Sequence, residues 1–226
     1  MKRACIALLP LLALLARCPA EDANVTAPVN SAVVTVEYSN PALSPSNWKL
    51  TLHPDGSGHF TSQMGTVPPD PQSEIRLPNL DRDVQLSPKF AGSVFATARQ
   101  HDWFNEDCDS HMKVAFSGWK RLSYSGPEGK GSCTFNYSKD RQIERLGDSF
   151  MAVAQTIFSG ARLEMLLQHD PLGLDKEIDS LARAAKDGRA QQICSIRGIL
   201  ERLAQDGQVM NLVRKQARNL LAHSDI

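Results

Sequence analysis

The chain has no excess of charge of either sign, and it is poor in aromatic residues. Its 226 residues include 25 basic and 25 acidic side chains, five cysteines and only 6% Phe, Trp and Tyr. Nucleic-acid-binding proteins neutralise phosphates with a surplus of Lys and Arg, so this balance argues against bulk nucleic-acid binding. The chain also lacks the roughly 20 consecutive apolar residues that a membrane-spanning helix needs. We therefore expect a globular protein with no nucleic-acid partner. We also expect no membrane span in the mature chain, after an N-terminal signal peptide has been removed.

The motifs of well-known hydrolases and nucleotide-binding enzymes are missing as well. The sequence contains no G-x-S-x-G, no H-E-x-x-H and no phosphate-binding glycine loop. Residues 46–49 and 110–113 match S-x-x-K, but neither stretch begins a predicted helix and no K-T-G is present. Paired carboxylates of the glycosidase kind stay open, because distance along the sequence does not give distance in space. A hydrolase with an unrecognised active site is therefore the alternative function.

What the chain does contain begins with a short apolar run near the N terminus. Lys2 and Arg3 precede this run, which covers residues 4–16. It is too short to cross a bilayer as a helix, and it fits the apolar region of a secretory signal peptide. A small residue at Ala20 suits cleavage directly after it. We therefore predict a signal peptide over residues 1–20 and an exported protein, periplasmic or secreted.

The sequence after the predicted cleavage site is polar, and residues 21–31 are predicted to be a disordered linker. A lipoprotein retained through an acylated Cys18 is an alternative, but Arg17 stands where such sites usually carry a small residue. Removal of the signal peptide takes away three of the 25 basic residues. The remaining 22 face 25 acidic residues, which gives a net charge of −3.

The densest cluster of reactive side chains is HDWFNEDCDSH, residues 101–111. Cys108 and His111 have the C-x2-H spacing of a metal site, with His101 as a third ligand. Structural zinc usually takes four ligands in two short pairs, and the sequence offers no second pair. In an exported protein, a loop cysteine such as Cys108, with Cys133 later in the chain, more often forms a disulfide than a metal site. We therefore favour a Cys108–Cys133 disulfide and no metal, with four carboxylates on a solvated loop face: Asp102, Glu106, Asp107 and Asp109.

The first half of the chain after the linker carries mostly the patterns of strands and turns. The β-branched stretch 32–38 predicts a strand, and the alternation over residues 48–64 predicts a hairpin that turns at its D-G dipeptide. Residues 74–86 have an extended pattern, whereas residues 89–104 show helical spacing. Further strands are predicted at KVAFS, RLSYS and SCTFNY, which are residues 113–117, 121–125 and 132–137.

The second half of the chain has the hydrophobic period of helices. Its first apolar stripe predicts a helix that runs to Gln168, and its last stripe joins Val209, Leu212, Gln216 and Leu220. Cys194 falls in a helical pattern and is interpreted as a small buried residue. We expect an α+β fold: an antiparallel β-sheet with one packed helix in residues 32–138, followed by a C-terminal helical bundle in residues 139–226 whose first helix packs on the sheet.

The register of the predicted hairpins follows from keeping apolar residues on one face of the sheet. The first of them pairs Phe116 with Leu122 and leaves residues 117–121 as its loop. The second leaves residues 126–131 as its loop and has these pairs: Tyr124 with Cys133, and Leu122 with Phe135.

This register places Trp119 at the apex of a loop, beside Lys120 and Arg121. An exposed tryptophan flanked by cations is a frequent contact residue in protein interfaces. The competing interpretation has Trp119 folding back over the edge of the sheet. We therefore name Trp119 as a candidate partner contact, with both positions open.

Three stretches carry a resemblance to a known group of proteins. WKLTLHPDGSG, FSGWKRLSYSGPEGKGSCTFNYS and LEMLLQHDPLGLDKEIDSL together resemble uncharacterised exported bacterial proteins, a domain of unknown function with a β-rich front and a helical C-terminal part. The likeness covers most of residues 32–206, and its motifs are turns, core strands and a helix junction. The resemblance implies export and this fold, and it implies no activity, cofactor or catalytic residue.

These observations favour an exported, non-catalytic binding or accessory module of the cell envelope. No cofactor and no catalytic residue is predicted for it. Its expected partner is a protein or another envelope component, and the pattern of the sequence does not address the oligomeric state.

Overall fold

A computed structural model of the protein describes residues 32–65 and 77–223. The predicted signal peptide and linker, residues 1–20 and 21–31, lie outside the described residues. Within the described part, the chain forms a six-stranded antiparallel sheet and five α-helices. One helix, α1 (Pro88–Gln100), lies between the fourth and fifth strands, and the other four follow the last strand. The predicted α+β fold with a helical C-terminal part is confirmed.

The sheet places its first strand near the middle. The strands are β1 (Val33–Ser39), β2 (Asn47–Leu52), β3 (Ser57–Gln63), β4 (Asp81–Gln85), β5 (Trp119–Gly126) and β6 (Gly129–Phe135). Their order across the sheet is β4-β3-β2-β1-β5-β6. Successive side chains of a strand point to opposite faces, so β1 directs Val34 and Val36 into the core and Thr35 and Glu37 away from it. The sheet therefore has one core face and one outer face.

The hairpin predicted over residues 48–64 is confirmed as β2 and β3, with Leu50 opposite Phe60. Gly56, in its turn, has φ +84°, a conformation that side-chain-bearing residues rarely adopt. A Cβ atom at this position would lie 2.3 Å from the carbonyl oxygen of Leu86. Glycine is therefore required here both for the turn and for the close approach of the chain that leads into α1.

Helix α1 begins as predicted and ends earlier than predicted. The Ser87 hydroxyl caps its N terminus by accepting a hydrogen bond from the Phe90 N–H at 3.2 Å. The helical pattern through residue 104 is misleading, because α1 stops at Gln100. It is followed by a left-handed turn (Asp102–Phe104), whose three residues have φ of 44°, 58° and 64°. This conformation is costly for residues with a side chain, and the burial of Phe104 and the stacking of Trp103 on Tyr124 hold it in place.

The four C-terminal helices are α2 (Arg141–His169), α3 (Leu174–Lys186), α4 (Arg197–Gln205) and α5 (Asn211–Ala222). Asp140 caps α2 by accepting hydrogen bonds from the Gln142 and Ile143 N–H groups. Helix α2 packs against the core face of the sheet as far as Ala161, and from Leu163 onward it belongs to a second core with α3, α4 and α5. The expectation that the first helix of the bundle packs on the sheet is confirmed.

The predicted register of β5 and β6 is wrong by two residues. Leu122 lies opposite Cys133 and Tyr124 opposite Gly131, so only two residues form the turn after Gly126. A shift of two residues keeps every side chain on its face, which is why the apolar pattern could not exclude it. A Cβ atom on Gly131 would lie 2.6 Å from the Trp103 carbonyl oxygen. This glycine is therefore a strand residue that lets the left-handed turn approach, and not a loop residue.

Three further expectations in the chain need correction. Residues 113–117 form no strand, because their backbone is held by side chains instead of a neighbouring strand. The last helical stripe consists of Val213, Ala217 and Leu220, whereas Leu212 is 62% exposed, since Val209 precedes the start of α5. Cys194 is only half-buried, and its thiol donates to the side-chain oxygen of Gln192 at 3.8 Å.

Candidate partner-binding surface

The reactive cluster at residues 101–111 is organised by a disulfide. Cys108 is bonded to Cys133 of β6, with 5.6 Å between the two Cα atoms, and both cysteines are buried. The predicted disulfide is confirmed, and the Cys108 sulfur is therefore not a metal thiolate. Among the described residues, no group of three His, Cys, Asp or Glu side chains could hold a metal ion.

The two histidines of this cluster each have a carboxylate of their own. His101 Nδ1 lies 2.7 Å from Glu106, and its Nε2 lies 2.9 Å from the side-chain oxygen of Gln142 at the start of α2. Burial lowers the pKa of His101, but the hydrogen bonds to Gln142 and Glu106 outweigh it and raise the pKa. His111 Nε2 lies 2.7 Å from Asp107, and this hydrogen bond raises the pKa of His111. These contacts tie the loop to itself and to the start of α2.

Directly after this cluster, the chain exposes a series of large apolar side chains. We call residues 111–119 the tip segment. Met112, Val114, Phe116 and Trp119 are 41–54% exposed, and the rings of Phe116 and Trp119 are in edge contact with centroids 5.7 Å apart. The Phe116 and Trp119 rings therefore form an exposed apolar pair, and exposed apolar patches typically mark an interaction site.

The tip segment is held in place although only its last residue, Trp119, belongs to a strand. The Asn136 side chain accepts a hydrogen bond from the Ser117 N–H at 2.9 Å and donates one to the Ala115 carbonyl at 3.1 Å. The Tyr38 hydroxyl donates to the Ser117 carbonyl at 2.7 Å. Gly118, with φ +117°, passes so close to the Tyr38 ring that a Cβ atom would lie 2.4 Å from it. The apolar side chains are therefore presented on a fixed backbone.

Trp119 does not occupy a loop apex, so that prediction is wrong. It is the first residue of β5, opposite Ser39 of β1, and it lies on the outer face of the sheet. The predicted apex depends on a strand at residues 113–117, and that strand does not form. Trp119 is nonetheless 48% exposed, and it does not fold back into the core. The ring is therefore accessible from solvent.

Lys120, predicted to lie beside Trp119 in the loop, points the other way and is buried. Its ammonium lies 3.4 Å from the Glu144 carboxylate of α2 and 5.1 Å from the centre of the Phe135 ring. The sequence contained a signal for this ion pair that was missed. Lys120 alternates with Leu122 and Tyr124 on the apolar face of β5, so a buried partner of opposite charge was required.

The Glu144 carboxylate points inward to Lys120. A basic cleft lies beside the tip segment at the start of α2. The cleft has a volume of about 350 Å³ and is lined by Tyr137, Ser138, Lys139, Arg141, Glu144 and Arg145. The two oxygens of Glu144 are engaged by Lys120 and by the Ser138 N–H. Tyr137, 39% exposed, follows the Asn136 that anchors the tip segment and connects the cleft to it. Three basic side chains therefore line the cleft, and one of them, Lys139, acts electrostatically on His111 of the tip segment.

The helical half has a cleft of about 570 Å³ lined by residues of α3, α5 and the segment between α3 and α4, and it exposes Leu172, Met210 and Leu212. It also carries many basic residues. Several of them pair with acids nearby: Arg183 with Asp179, Arg189 with Asp187 and Arg197 with Glu201. No helix within residues 32–65 and 77–223 is long and apolar enough to cross a membrane. No protein-family model matches this chain, and no curated protein matches it in sequence.

Proposed function

We propose that the protein is an exported, non-catalytic binding module of the cell envelope that docks onto a partner protein through the tip segment. The observation that carries this proposal is the exposure of Met112, Val114, Phe116 and Trp119 on a backbone fixed by Asn136 and Tyr38. Such a fixed surface loses little conformational entropy on binding, which favours affinity.

The composition of this surface fits a protein partner. Protein interfaces are enriched in Trp, Phe, Tyr and Met at their core and have a polar rim. Here the apolar residues of the tip segment would form the core, and Lys139, Arg141 and Arg145 would form one side of the rim. The expected partner therefore presents an apolar pocket bordered by acidic residues, because charge complementarity steers and orients association.

Two features support the export that this proposal includes. The Cys108–Cys133 bridge is of the kind that persists in oxidising compartments outside the cytoplasm. Residues 1–20 have the pattern of a secretory signal peptide. We also propose that the chain is related to the exported bacterial proteins that it resembles. N-terminal sequencing of protein from the native host should begin at Glu21, and an intact Met1 would contradict export.

Site-specific photocross-linking in the native host tests the docking surface. A benzoylphenylalanine placed at Phe116 should give one discrete cross-linked product. The same probe at Leu172, which is 78% exposed in the helical half, serves as the matched control and should give none. Lys139→Glu in the Phe116-probe protein should reduce the yield, because it reverses one charge of the rim.

The mass of the product decides between occupants. A heterodimeric product with a defined protein supports the proposal. A product with twice the mass of the chain means that the surface joins two copies, and a product with lipid means that it lies on a membrane; either result contradicts a protein partner. Equal products from the Phe116 and Leu172 positions, or none from Phe116, would also overturn the proposal.

A further inference from the structure

The outer face of the sheet carries rows of polar side chains that cross all six strands. One row contains no apolar residue, and it runs Asp83, His59, Thr51, Thr35, Ser123 and Ser132. Hydroxyl groups dominate it on the β1, β5 and β6 side, whereas its acidic member, Asp83, lies at the opposite edge and is bonded to His59. The two ends of the face therefore differ in charge.

The hydroxyl-rich end forms a cleft of about 320 Å³. It is lined by Thr35, Asn105, Arg121, Ser123, Tyr124, Ser125, Lys130, Gly131 and Ser132. Two of these residues are cations and four carry aliphatic hydroxyl groups. No lining residue is a carboxylate, which distinguishes this cleft from the rest of the outer face.

The two cations of the cleft are not neutralised by an ion pair among the described residues. Within the described part of the chain, neither Arg121 nor Lys130 forms an ion pair, and Arg121 makes one long hydrogen bond, 3.4 Å, to the Ser132 hydroxyl. The nearest acid in register with Arg121 is Glu37, whose carboxylate lies 3.8 Å from Lys49. Unneutralised cations beside hydroxyl donors favour an anionic ligand.

One wall of the cleft depends on the left-handed turn (Asp102–Phe104). This turn places Asn105 against β6. A Cβ atom added to Gly131 would lie 2.7 Å from the backbone nitrogen of Asn105. The Asn105 side chain donates to Asp102 at 3.3 Å, so it is fixed. Residues in such costly conformations concentrate at ligand sites, where they position contacting groups.

We propose that this cleft binds a tetrahedral oxyanion, a phosphate or sulfate group. The planar guanidinium of Arg121 supplies two parallel donors, and the Lys130 ammonium supplies a point charge. The hydroxyls of Thr35, Ser123 and Ser125 supply further donors from the floor of the sheet, which suits an anion with four oxygens. The anion is either free or carried by an envelope saccharide, and the chemistry of recognition is shared by both.

Titration calorimetry on the purified full-length mature protein tests this proposal without the partner. Inorganic phosphate, inorganic sulfate and glucose 1-phosphate are the probes, and neutral glucose is the negative control. Wild-type protein should bind at least one of the anions with saturation, and raised ionic strength should weaken the binding. Tighter binding of glucose 1-phosphate than of phosphate would identify a saccharide carrier, and equal binding would identify the free ion.

Two variants locate the site, and a third controls for net charge. Arg121→Gln and Lys130→Gln should each weaken the anion about tenfold, the effect of losing one charged hydrogen bond. Lys89→Gln, on the exposed side of α1, changes the net charge equally and should leave affinity unchanged. Absence of saturable binding to wild-type protein would overturn the proposal, as would an equal loss in all three variants with unchanged melting temperatures. The docking surface of the tip segment is not involved in either result.

Discussion

The two hydrophobic cores of this protein are built from different side chains. The sheet core is rich in aromatic rings, with Tyr38, Trp48, Phe60 and Phe158 in a continuous series of ring contacts. The core of the helical half consists of Leu, Ile, Val and Ala. The disulfide, the buried Lys120 and the tip segment all belong to the sheet half.

The difference teaches where this chain concentrates its specific interactions. The ring contacts of the sheet core are directional, because aromatic rings prefer defined geometries. The helices pack neighbouring segments through an aliphatic stripe with short connections, which needs less specificity. The sheet half is therefore more sensitive to single substitutions, and four experiments can break or sharpen this comparison.

The largest expected effect is in the aromatic series. Phe60 is fully buried between Trp48 and Phe158, and Phe60→Ala should lower the free energy of unfolding by about 4 kcal/mol. Leu200→Ala, at a fully buried position of the helical core, should lower it by about 3 kcal/mol. Urea unfolding followed by far-ultraviolet circular dichroism measures both values. A larger loss for Leu200→Ala would reverse the comparison.

Removal of the disulfide should have the next largest effect. Cys108 and Cys133 are separated by 25 residues, and the double Cys→Ser variant should lose about 3 kcal/mol because its unfolded chain is less constrained. Cys194→Ser, in the helical half, is the control and should change the unfolding midpoint little. Finding both thiols free in non-reducing peptide maps of native protein would contradict the bridge.

Loss of an ion pair should also cost more stability in the sheet half than in the helical half. Glu144→Ala leaves the buried Lys120 ammonium without its carboxylate and should cost about 2 kcal/mol. Glu177→Ala removes the partner of Arg162 between α2 and α3, where Arg162 is 26% exposed and also bonds Ser159, so about 1 kcal/mol is expected. Chemical denaturation of the two single variants compares them. Equal losses would mean that burial of Lys120 adds no stability cost.

The smallest effect is the pH dependence from His101. Its folded-state pKa is raised above the ordinary 6.5, so its stabilising contribution is complete below pH 6.5 and is lost as pH rises through the folded-state pKa. The stability difference between wild-type protein and His101→Gln should therefore shrink as the pH is raised from below 6.5. Denaturation series of both proteins at several pH values measure this difference. A difference that grows with pH would show that the neutral form is the stabilised one.

The sequence was sufficient to predict the faces of the strands but not their alignment. The alternation in β5 and β6 assigned Leu122, Tyr124 and Cys133 to one face correctly, because burial requires a period of two. Registers that differ by two residues satisfy the same pattern. The deciding contact is the approach of the left-handed turn to Gly131, which involves residues far apart in the sequence.

Expectations also failed where a side chain behaves against its usual preference. The stretch D-W-F does not predict three successive left-handed residues, since this conformation normally favours glycine. At the candidate docking surface, the apolar residues Val114 and Phe116 matched a strand pattern. They are instead held by the Asn136 side chain, and such a contact is not visible as a period.

The long helix α2 contributes to both cores, so we expect the two halves of the chain to evolve as one unit. Its 29 residues span about 43 Å at 1.5 Å each, and they supply Ile143 and Phe150 to one core and Leu163 and Leu166 to the other. A recombination event that joined the sheet half to another helical partner would have to carry α2 whole, together with the side chains that fit the donor's old bundle. Variation in this protein is therefore expected by substitution within each half, and not by exchange of one half for another.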